Sequence, residues 1–324
     1  MSAHAPALPS SAPIRDLVTR ADVEAARQRI AADVRATPLW RLPGAALGLD
    51  LREVWLKLEH LQVAGSFKAR GMFNRLRAQA LPAAGVLIAS GGNAGIAAAA
   101  AARAVGAPCE VFVPEISSAA KRAALAALGA KVQVVGAAYP QALEAARERQ
   151  AATGALWLHA YDQPEVVAGA GTVAAEIEAE AGLPDRLLVS VGGGGLVGGI
   201  AAWWAGRVPI DALEPEGCPT LHAARAAGVP VDVAVGGLAA DALGARRLGD
   251  IAWSVNHHIA NSHLLTHVSI RDAQQWLWRE MRLAVEPAAA LPLAALRSGA
   301  VRPLPRERVA LVLCGANLDP ASLA

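Results

Sequence analysis

Cysteine, lysine and charged residues in general are scarce in this chain of 324 residues. Its three cysteines, Cys109, Cys218 and Cys314, lie far apart and form no CxxC pair. That spacing excludes a disulfide framework and a structural zinc site, and it favours a reducing, cytoplasmic location. Charged residues make up 18% of the chain and the formal net charge is +2, and no block of Lys and Arg stands out that would bind nucleic acid.

The sequence also lacks an apolar run suited to a membrane. Residues 187–206 are uncharged, but they include seven glycines, four of them consecutive, which a lipid-exposed helix would not tolerate. The N-terminal stretch MSAHAPALPSSAPIRD has no basic start followed by an apolar core, so it predicts a loose tail rather than a signal peptide. We therefore expect no membrane association, and the length predicts two lobes that share a cleft.

Short apolar runs alternate with helix-like stretches along the whole chain. Thr19 and Asp22 form an N-cap pair that opens a helix through Val34. The alternation predicts βαβ units and a parallel sheet, and the almost wholly apolar run VALVLC is typical of a central strand. The strand-like runs are VWLKLEH, VLIAS, EVFVP, KVQVV, LLVSV and VALVLC, at residues 54–60, 86–90, 110–114, 131–135, 187–191 and 309–314.

Four consecutive glycines, Gly192, Gly193, Gly194 and Gly195, follow the strand-like run LLVSV and precede a helix-like stretch. Bare backbone N–H groups at a helix N-terminus make an anion site suited to a phosphate, although a plain tight turn is an alternative. Gly193, Gly195 and Gly198 also satisfy GxGxxG, and Glu214 ends a strand-like run about twenty residues later. This pattern keeps a nicotinamide-dependent oxidoreductase open as an alternative of another class.

Only four lysines occur, Lys57, Lys68, Lys121 and Lys131, so lysine-dependent chemistry has four candidates. Lys68 stands in the segment GSFKARG, among small residues and beside Phe67. A partly desolvated lysine on such a loop is suited to form a Schiff base, although an exposed lysine at a helix start is the alternative.

Two further motifs follow predicted strands. The segment Ser90, Gly91, Gly92, Asn93, Ala94 offers a hydroxyl, an amide and free N–H groups at a helix N-terminus, which suit a carboxylate. Cys314 opens CGAN at the end of the last apolar strand, where α/β proteins place ligands, although a buried structural cysteine is the alternative.

In this order, the motifs resemble those of the pyridoxal-phosphate (PLP) enzymes of the serine/threonine dehydratase group, of the tryptophan synthase β fold type (fold type II). The matching segments are GSFKARG, SGGNAG, YDQPEVVAGAGT, SVGGGGLVGGIA and CGAN, and the resemblance runs from about Asp22 to Asp319. It implies an α/β fold of two lobes, each an open twisted, mainly parallel sheet flanked by helices, with PLP in the cleft between them. We expect residues 86–161 to form the small lobe, and residues 1–85 and 162–324 to form the large PLP-binding lobe.

The resemblance also implies roles for the motif residues. Lys68 would hold PLP covalently and act as the catalytic base, and Phe67 would pack on the ring. The glycines from Gly192 to Gly195 would bind the 5′-phosphate, Asn93 the ring 3′-oxygen, and Cys314 would face the pyridine nitrogen. Ser90, with the backbone from Gly91 to Ala94, would bind the carboxylate of a small amino-acid substrate.

The implied activity is α,β-elimination of L-serine or L-threonine, giving pyruvate or 2-oxobutanoate and ammonia. A neutral cysteine at the ring nitrogen makes the ring a weaker electron sink than a carboxylate partner does, which favours elimination over transamination. Racemases of the group carry a serine where this chain has Gly91, so racemisation is the weaker alternative, beside dehydration of another β-hydroxy amino acid such as 3-hydroxyaspartate. A homodimer is implied by analogy.

Three further polar features bear on metal binding or on the cofactor. Relatives that bind a divalent cation do so near a Glu-Pro segment, but after Glu214-Pro215 this chain has Thr220, so we expect no metal there. His263 and His267 have a spacing that would also allow a metal, although solvated loop histidines are favoured. Glu286 matches a family segment near the cofactor, without an assigned role.

Overall fold

The computed structural model describes residues 15–323, so most of the stretch predicted to be a loose tail lies outside the described residues. The strands are β1 (Leu39–Pro43), β2 (Glu53–Lys57), β3 (Val86–Ala89), β4 (Cys109–Val113), β5 (Lys131–Val134), β6 (Leu156–Trp157), β7 (Arg186–Ser190), β8 (Ile210–Pro215), β9 (Asn261–Leu265) and β10 (Arg308–Val312). The helices are α1 (Arg20–Ile30), α2 (Lys68–Arg77), α3 (Asn93–Ala104), α4 (Ala119–Ala127), α5 (Tyr139–Thr153), α6 (Pro164–Ala181), α7 (Gly195–Trp204), α8 (Thr220–Ala227), α9 (Ala240–Leu243), α10 (Asp250–Ser254), α11 (His267–Met281) and α12 (Pro287–Arg297).

The strands form two separate sheets. The larger has the order β1-β2-β10-β7-β8-β9, in which only the β1–β2 pair is antiparallel, and the smaller has the order β5-β4-β3-β6, parallel throughout. As its apolar sequence predicts, β10 lies in the interior of the large sheet, between β2 and β7. The predicted α/β class with two mainly parallel sheets is confirmed.

Two predicted elements differ in extent. The helix predicted to run to Val34 ends at Ile30, after the predicted capping box of Thr19 and Asp22 opens it. The strand predicted over residues 54–60 ends at Lys57, and Val54 to Lys57 are all buried although apolar and polar residues alternate along the run.

A buried ionic network explains why a lysine, Lys57, can lie buried in β2. Lys57 Nζ donates to the backbone oxygen of Thr37 and to Glu176 on α6, both at 2.7 Å. Glu176 also accepts from the guanidinium of Arg70 on α2, at 2.6 Å, and Arg70 donates to both carboxylate oxygens of Glu59 at 2.7 Å. Such charges are tolerated inside a protein because each is paired and hydrogen-bonded.

Helix α2 lies between the two sheets. Met72, Phe73 and Leu76 belong to the core of the small sheet, while Gly71 contacts α6 of the large lobe so closely that an added Cβ would lie 2.6 Å from the backbone oxygen of Val166. Burial of large apolar side chains on this scale stabilises by about 2 kcal/mol each. The first turn of α2 is therefore fixed by both lobes. Within residues 15–323, no helix combines the length and apolar character that crossing a bilayer requires.

Candidate active site

The ends of several elements converge on one cavity. The loop after β7, the residues after β10 and the N-termini of α2, α3 and α12 all contribute to its wall, as expected at the carboxyl ends of parallel strands. The lining residues are Phe67, Lys68, Asn93, Tyr161, Ser190, Gly192, Gly193, Gly194, Gly195, Leu196, Ala242, Leu243, Glu286, Ala288 and Cys314. All eight positions predicted to bind the cofactor, which are Phe67, Lys68, Asn93, Cys314 and the four glycines of residues 192–195, are thus brought together.

Lys68 is the first residue of α2 and its amine points into this cavity. Its Nζ donates to the backbone oxygen of Ala160 at 2.7 Å and lies 5.0 Å from the centroid of the Phe67 ring. Burial lowers the pKa of Lys68 to about 8, although the nearby Cys314 and Glu286 partly oppose that shift. A lysine with such a pKa has an appreciable neutral fraction near pH 7, and the neutral amine is the form that attacks a carbonyl.

The four glycines are required by their surroundings. A Cβ on Gly193 would lie 2.3 Å from the ring of Tyr161, one on Gly194 2.4 Å from Ala252, and one on Gly192 2.9 Å from Leu243. Gly194 is also in the left-handed region, at φ +90°, where it caps α7. The backbone N–H groups that begin the ten-residue helix α7 are therefore left bare, beside the positive end of its dipole, which fits a phosphate.

A chain of amides orients Asn93. Its Nδ2 donates to both carboxylate oxygens of Glu286 at 2.9 Å, and its Oδ1 accepts from Nδ2 of Asn317 at 2.7 Å. Asn317 also donates to the backbone oxygen of Ala64 at 2.9 Å. Asn317 and Glu286 thus fix both ends of the Asn93 amide at the cavity wall, where its Nδ2 is a donor suited to a ring oxygen.

Cys314 and Glu286 form another part of the wall. Burial raises the pKa of the Cys314 thiol well above its usual value, and the Glu286 carboxylate reinforces the shift, so the thiol stays neutral. Burial also raises the pKa of Glu286 to about 7, although the hydrogen bond from Asn93 opposes this. Gly315 allows the Glu286 carboxylate to lie close to the backbone after β10, since a Cβ on Gly315 would lie 2.5 Å from Oε1 of Glu286.

The segment predicted to bind a substrate carboxylate joins β3 to α3. Gly92 is the N-cap of α3, so the first N–H groups of that helix have no partner inside the helix. Of this segment only Asn93 is among the residues that line the cavity; Ser90, Gly91 and Gly92 lie partly exposed beside it and Ala94 is buried. Their role toward a substrate carboxylate stays a prediction.

Several lining residues were not predicted from the sequence. Tyr161 lies against Gly193, and its hydroxyl donates to the backbone oxygen of Arg247 at 3.2 Å; burial raises its pKa to about 12. Ser190 donates to the backbone oxygen of Ala288 at 2.6 Å. The segment YDQP contains Tyr161, but only the fold brings it against the glycine run.

The geometry contradicts the oxidoreductase alternative. Glu214 is fully buried and outside the cavity, and its carboxylate accepts from the backbone N–H groups of Leu221 and His222 at 2.7 and 2.8 Å and from the Thr220 hydroxyl at 3.1 Å. It therefore has no reach to a ribose. Gly198 lies inside α7 against Ala252 rather than at a phosphate turn.

The same contacts leave Glu214 unsuited to a divalent cation. The groups around its carboxylate are two N–H donors and the hydroxyls of Thr220 and Ser262, all of which donate to it, whereas a cation such as Mg²⁺ requires several oxygen ligands with free lone pairs, carboxylates among them. The two histidines whose spacing would allow a metal do not form a metal site together. His263 Nε2 lies 2.9 Å from Oδ1 of Asp211, and neither His263 nor His267 belongs to a cluster of three metal-ligating groups within residues 15–323.

Comparison with known proteins identifies the cofactor of the chain. A family model described as "Pyridoxal-phosphate dependent enzyme" matches residues 30–315. Phenylserine dehydratase of Ralstonia pickettii is 32% identical over 312 residues, covering 92% of this chain and 93% of the relative. L-threonine ammonia-lyase of Geobacter sulfurreducens is 34% identical over 279 residues, covering 84% and 69%. The structure of maize serine racemase matches with a TM-score of 0.88 at 28% identity, covering 94% of this chain and 95% of that one.

The cofactor of this family fits the residues that line the cavity. A reactive amine, an anion site of bare backbone, an oriented amide donor and a neutral thiol surround it, which is the donor set that an aldehyde-bearing, phosphorylated pyridine requires. The chain therefore belongs to the pyridoxal-phosphate-dependent enzyme family, whose members related to it include ammonia-lyases, dehydratases and racemases, and its cofactor is pyridoxal 5′-phosphate.

Proposed function

We propose that the chain catalyses α,β-elimination of L-serine and L-threonine to pyruvate and 2-oxobutanoate with release of ammonia. The observation that carries the proposal is that Lys68 and a neutral Cys314 line the same cavity, with a glycine at position 91. One amine is then available to take the Cα proton, and position 91 offers no side chain to return a proton from the other face. That arrangement favours loss of the β-substituent over racemisation.

The residues divide the work as follows. Bound PLP supplies an electron sink that acidifies the Cα–H bond of the amino acid. The bare N–H groups from Gly192 to Gly195 bind its phosphate, and the Asn93 amide donates to its ring oxygen. Lys68, whose amine is neutral to an appreciable extent near pH 7, takes the Cα proton. The free N–H groups at the start of α3 bind and orient the substrate carboxylate.

The charges of the cavity favour a substrate with a neutral side chain. Among the described lining residues Lys68 is the only cation, and the proposal commits its amine to the cofactor and the Cα proton. Lys121 forms an ion pair with Asp241 outside the lining, so no cation of the described lining is free to pair with a second carboxylate. These features favour serine and threonine over 3-hydroxyaspartate.

A panel of L- and D-serine, L- and D-threonine and 3-hydroxyaspartate tests the proposal. We expect 2-oxo acid and ammonia in equal amounts from L-serine and L-threonine, with kcat/KM at least about tenfold above that for 3-hydroxyaspartate, because a second carboxylate without a cation to pair with costs about 1.4 kcal/mol or more. Coupled assays of 2-oxo acid and chiral chromatography of the remaining amino acid measure both outcomes. Racemisation without 2-oxo acid, or preference for 3-hydroxyaspartate, would contradict it.

Restoring a hydroxyl at position 91 should shift the balance of reactions. We expect Gly91→Ser to raise racemisation of L-serine relative to elimination by about 10²-fold, the lower end of what one positioned acid or base contributes. Its Cβ would lie 3.0 Å from Ser117 Oγ, so Ser117→Ala is included to make room. Gly92→Ser places a hydroxyl one residue further along and should leave the ratio unchanged; an equal rise in both variants would show that position 91 is not special.

We also propose that the enzyme works as a homodimer in the cytoplasm. The three cysteines are all buried and unpaired, in keeping with a reducing compartment. Sedimentation equilibrium of the purified chain tests the dimer, and a monomer at micromolar concentration would contradict it.

A further inference from the structure

Two histidines and an aspartate converge outside the cavity, on the large lobe. Asp16 precedes α1, and His257 and His258 lie in the short 3₁₀ turn before β9. Nε2 of His258 lies 3.2 Å from Oδ2 of Asp16, and Nε2 of His257 lies 3.5 Å from Oδ1. One ligand atom from each residue lies within 4.8 Å of the other two, and the two imidazole rings are 3.9 Å apart between centroids.

These separations are those of ligands around one small ion. Zinc is bound by imidazole nitrogen and carboxylate oxygen at about 2.0–2.2 Å in tetrahedral geometry. Two ligand atoms at that radius are about 3.3 Å apart, close to both nitrogen–oxygen distances here. Two imidazoles and one carboxylate suit zinc and its borderline neighbours better than Mg²⁺ or Ca²⁺, which prefer an all-oxygen shell.

Both halves of the cluster are held in place by other contacts. Arg225 donates to Oδ1 of Asn256 at 2.7 Å and to the backbone oxygen of Ile259 at 2.6 Å, which fixes the histidine turn from both ends. The backbone N–H of Leu17 donates to Ser254 Oγ at 3.1 Å, which fixes the residue after Asp16. Ligands ordered in advance lose little conformational entropy on binding an ion.

The cluster is also open on one side. The side chains of His258 and Asp16 are 18% and 28% exposed, whereas that of His257 is 49% exposed. Water can therefore complete the coordination from the solvent side, as at three-ligand zinc sites.

We propose that Asp16, His257 and His258 bind one zinc ion, with water as the fourth ligand. The ion joins the segment before α1 to the turn before β9, so its role is to stabilise the large lobe rather than to act on the amino-acid substrate. The proposal is independent of the reaction assigned above.

Zinc titration of the full-length holoenzyme, after dialysis against a chelator, tests the site by calorimetry. We expect one saturable zinc per chain, bound at least tenfold more weakly by His257→Ala and by His258→Ala. His222→Ala, which removes an exposed histidine outside the cluster, should bind as the unaltered chain does. His257→Ala is the decisive variant because its exposed ring contributes least to folding.

Two further measurements make the result unambiguous. Thermal unfolding should show that zinc raises the melting temperature of the unaltered chain and of His222→Ala, and not of the two cluster variants. Cobalt, used as a coloured substitute, should give the visible absorption of a tetrahedral site only where the cluster is intact. Absence of saturable zinc binding, or equal affinity in His257→Ala and the unaltered chain, would overturn the proposal.

Discussion

Lys68→Ala is expected to abolish both covalent attachment of the cofactor and release of 2-oxo acid, with kcat reduced by about 10⁴-fold or more. The amine that enters the cavity is the group suited both to bond the cofactor and to take the Cα proton, and a positioned base alone contributes up to about 10⁴-fold. The visible absorbance of the bound cofactor and the initial rate with L-serine measure the two effects.

Borohydride trapping locates the attachment directly. Reduction of the holoenzyme should leave the cofactor on the peptide that contains Lys68, as identified by mass spectrometry. Lys131→Ala is the matched control, because that lysine is exposed on β5 of the small sheet, and it should retain colour and rate. Full activity in Lys68→Ala, or a label on another lysine, would refute the assignment.

Gly193→Ala is expected to weaken binding of PLP by about 10- to 100-fold. A single methyl group there would lie 2.3 Å from the Tyr161 ring, and forcing extra volume into a packed site costs about 1–3 kcal/mol. Fluorescence titration of the cofactor-free protein with PLP measures the affinity.

The matched control for that variant is Gly236→Ala, where an added Cβ meets nothing within 4 Å and the backbone is not left-handed. It should bind PLP as the unaltered chain does. Combining Gly193→Ala with Tyr161→Ala removes the clash and should recover part of the affinity. Unchanged affinity in Gly193→Ala alone would show that the bare backbone of this loop does not hold the phosphate.

Much of the fold follows from local sequence. The apolar run of β10 predicts an interior strand, and the glycines after β7 predict an anion site, because each depends on residues adjacent in the chain. The alternation of apolar and polar residues in β2 is misleading, because the burial of this strand depends on a residue distant in the chain. Lys57 is buried because Glu176, from a helix more than a hundred residues away, compensates its charge.

The orientation of the Asn93 amide could not be predicted from the sequence for a similar reason. Asn93 contacts Glu286 and Asn317 across 193 and 224 residues of chain, and no periodicity or spacing reports such a contact. The motif CGAN does contain Asn317, but its position behind Asn93 depends on the packing of the two lobes. What the sequence conveys is which side chains are capable of chemistry; their mutual orientation is a property of the assembled core.

The ionic network behind α2 has a consequence for how the enzyme tolerates change. Arg70 stands two residues after Lys68 and is paired with Glu59 and Glu176 in the interior, so removing either acid strands a cation away from water at a cost of about 3–5 kcal/mol. Lysine is no substitute at position 70, because a single ammonium cannot match two carboxylates at once. The direction in which the Lys68 amine points is thus fixed by contacts on the side of α2 away from the cavity, with residues that do not contact the substrate. Substitutions that change substrate specificity are therefore better tolerated among the residues that line the cavity than in this ionic network.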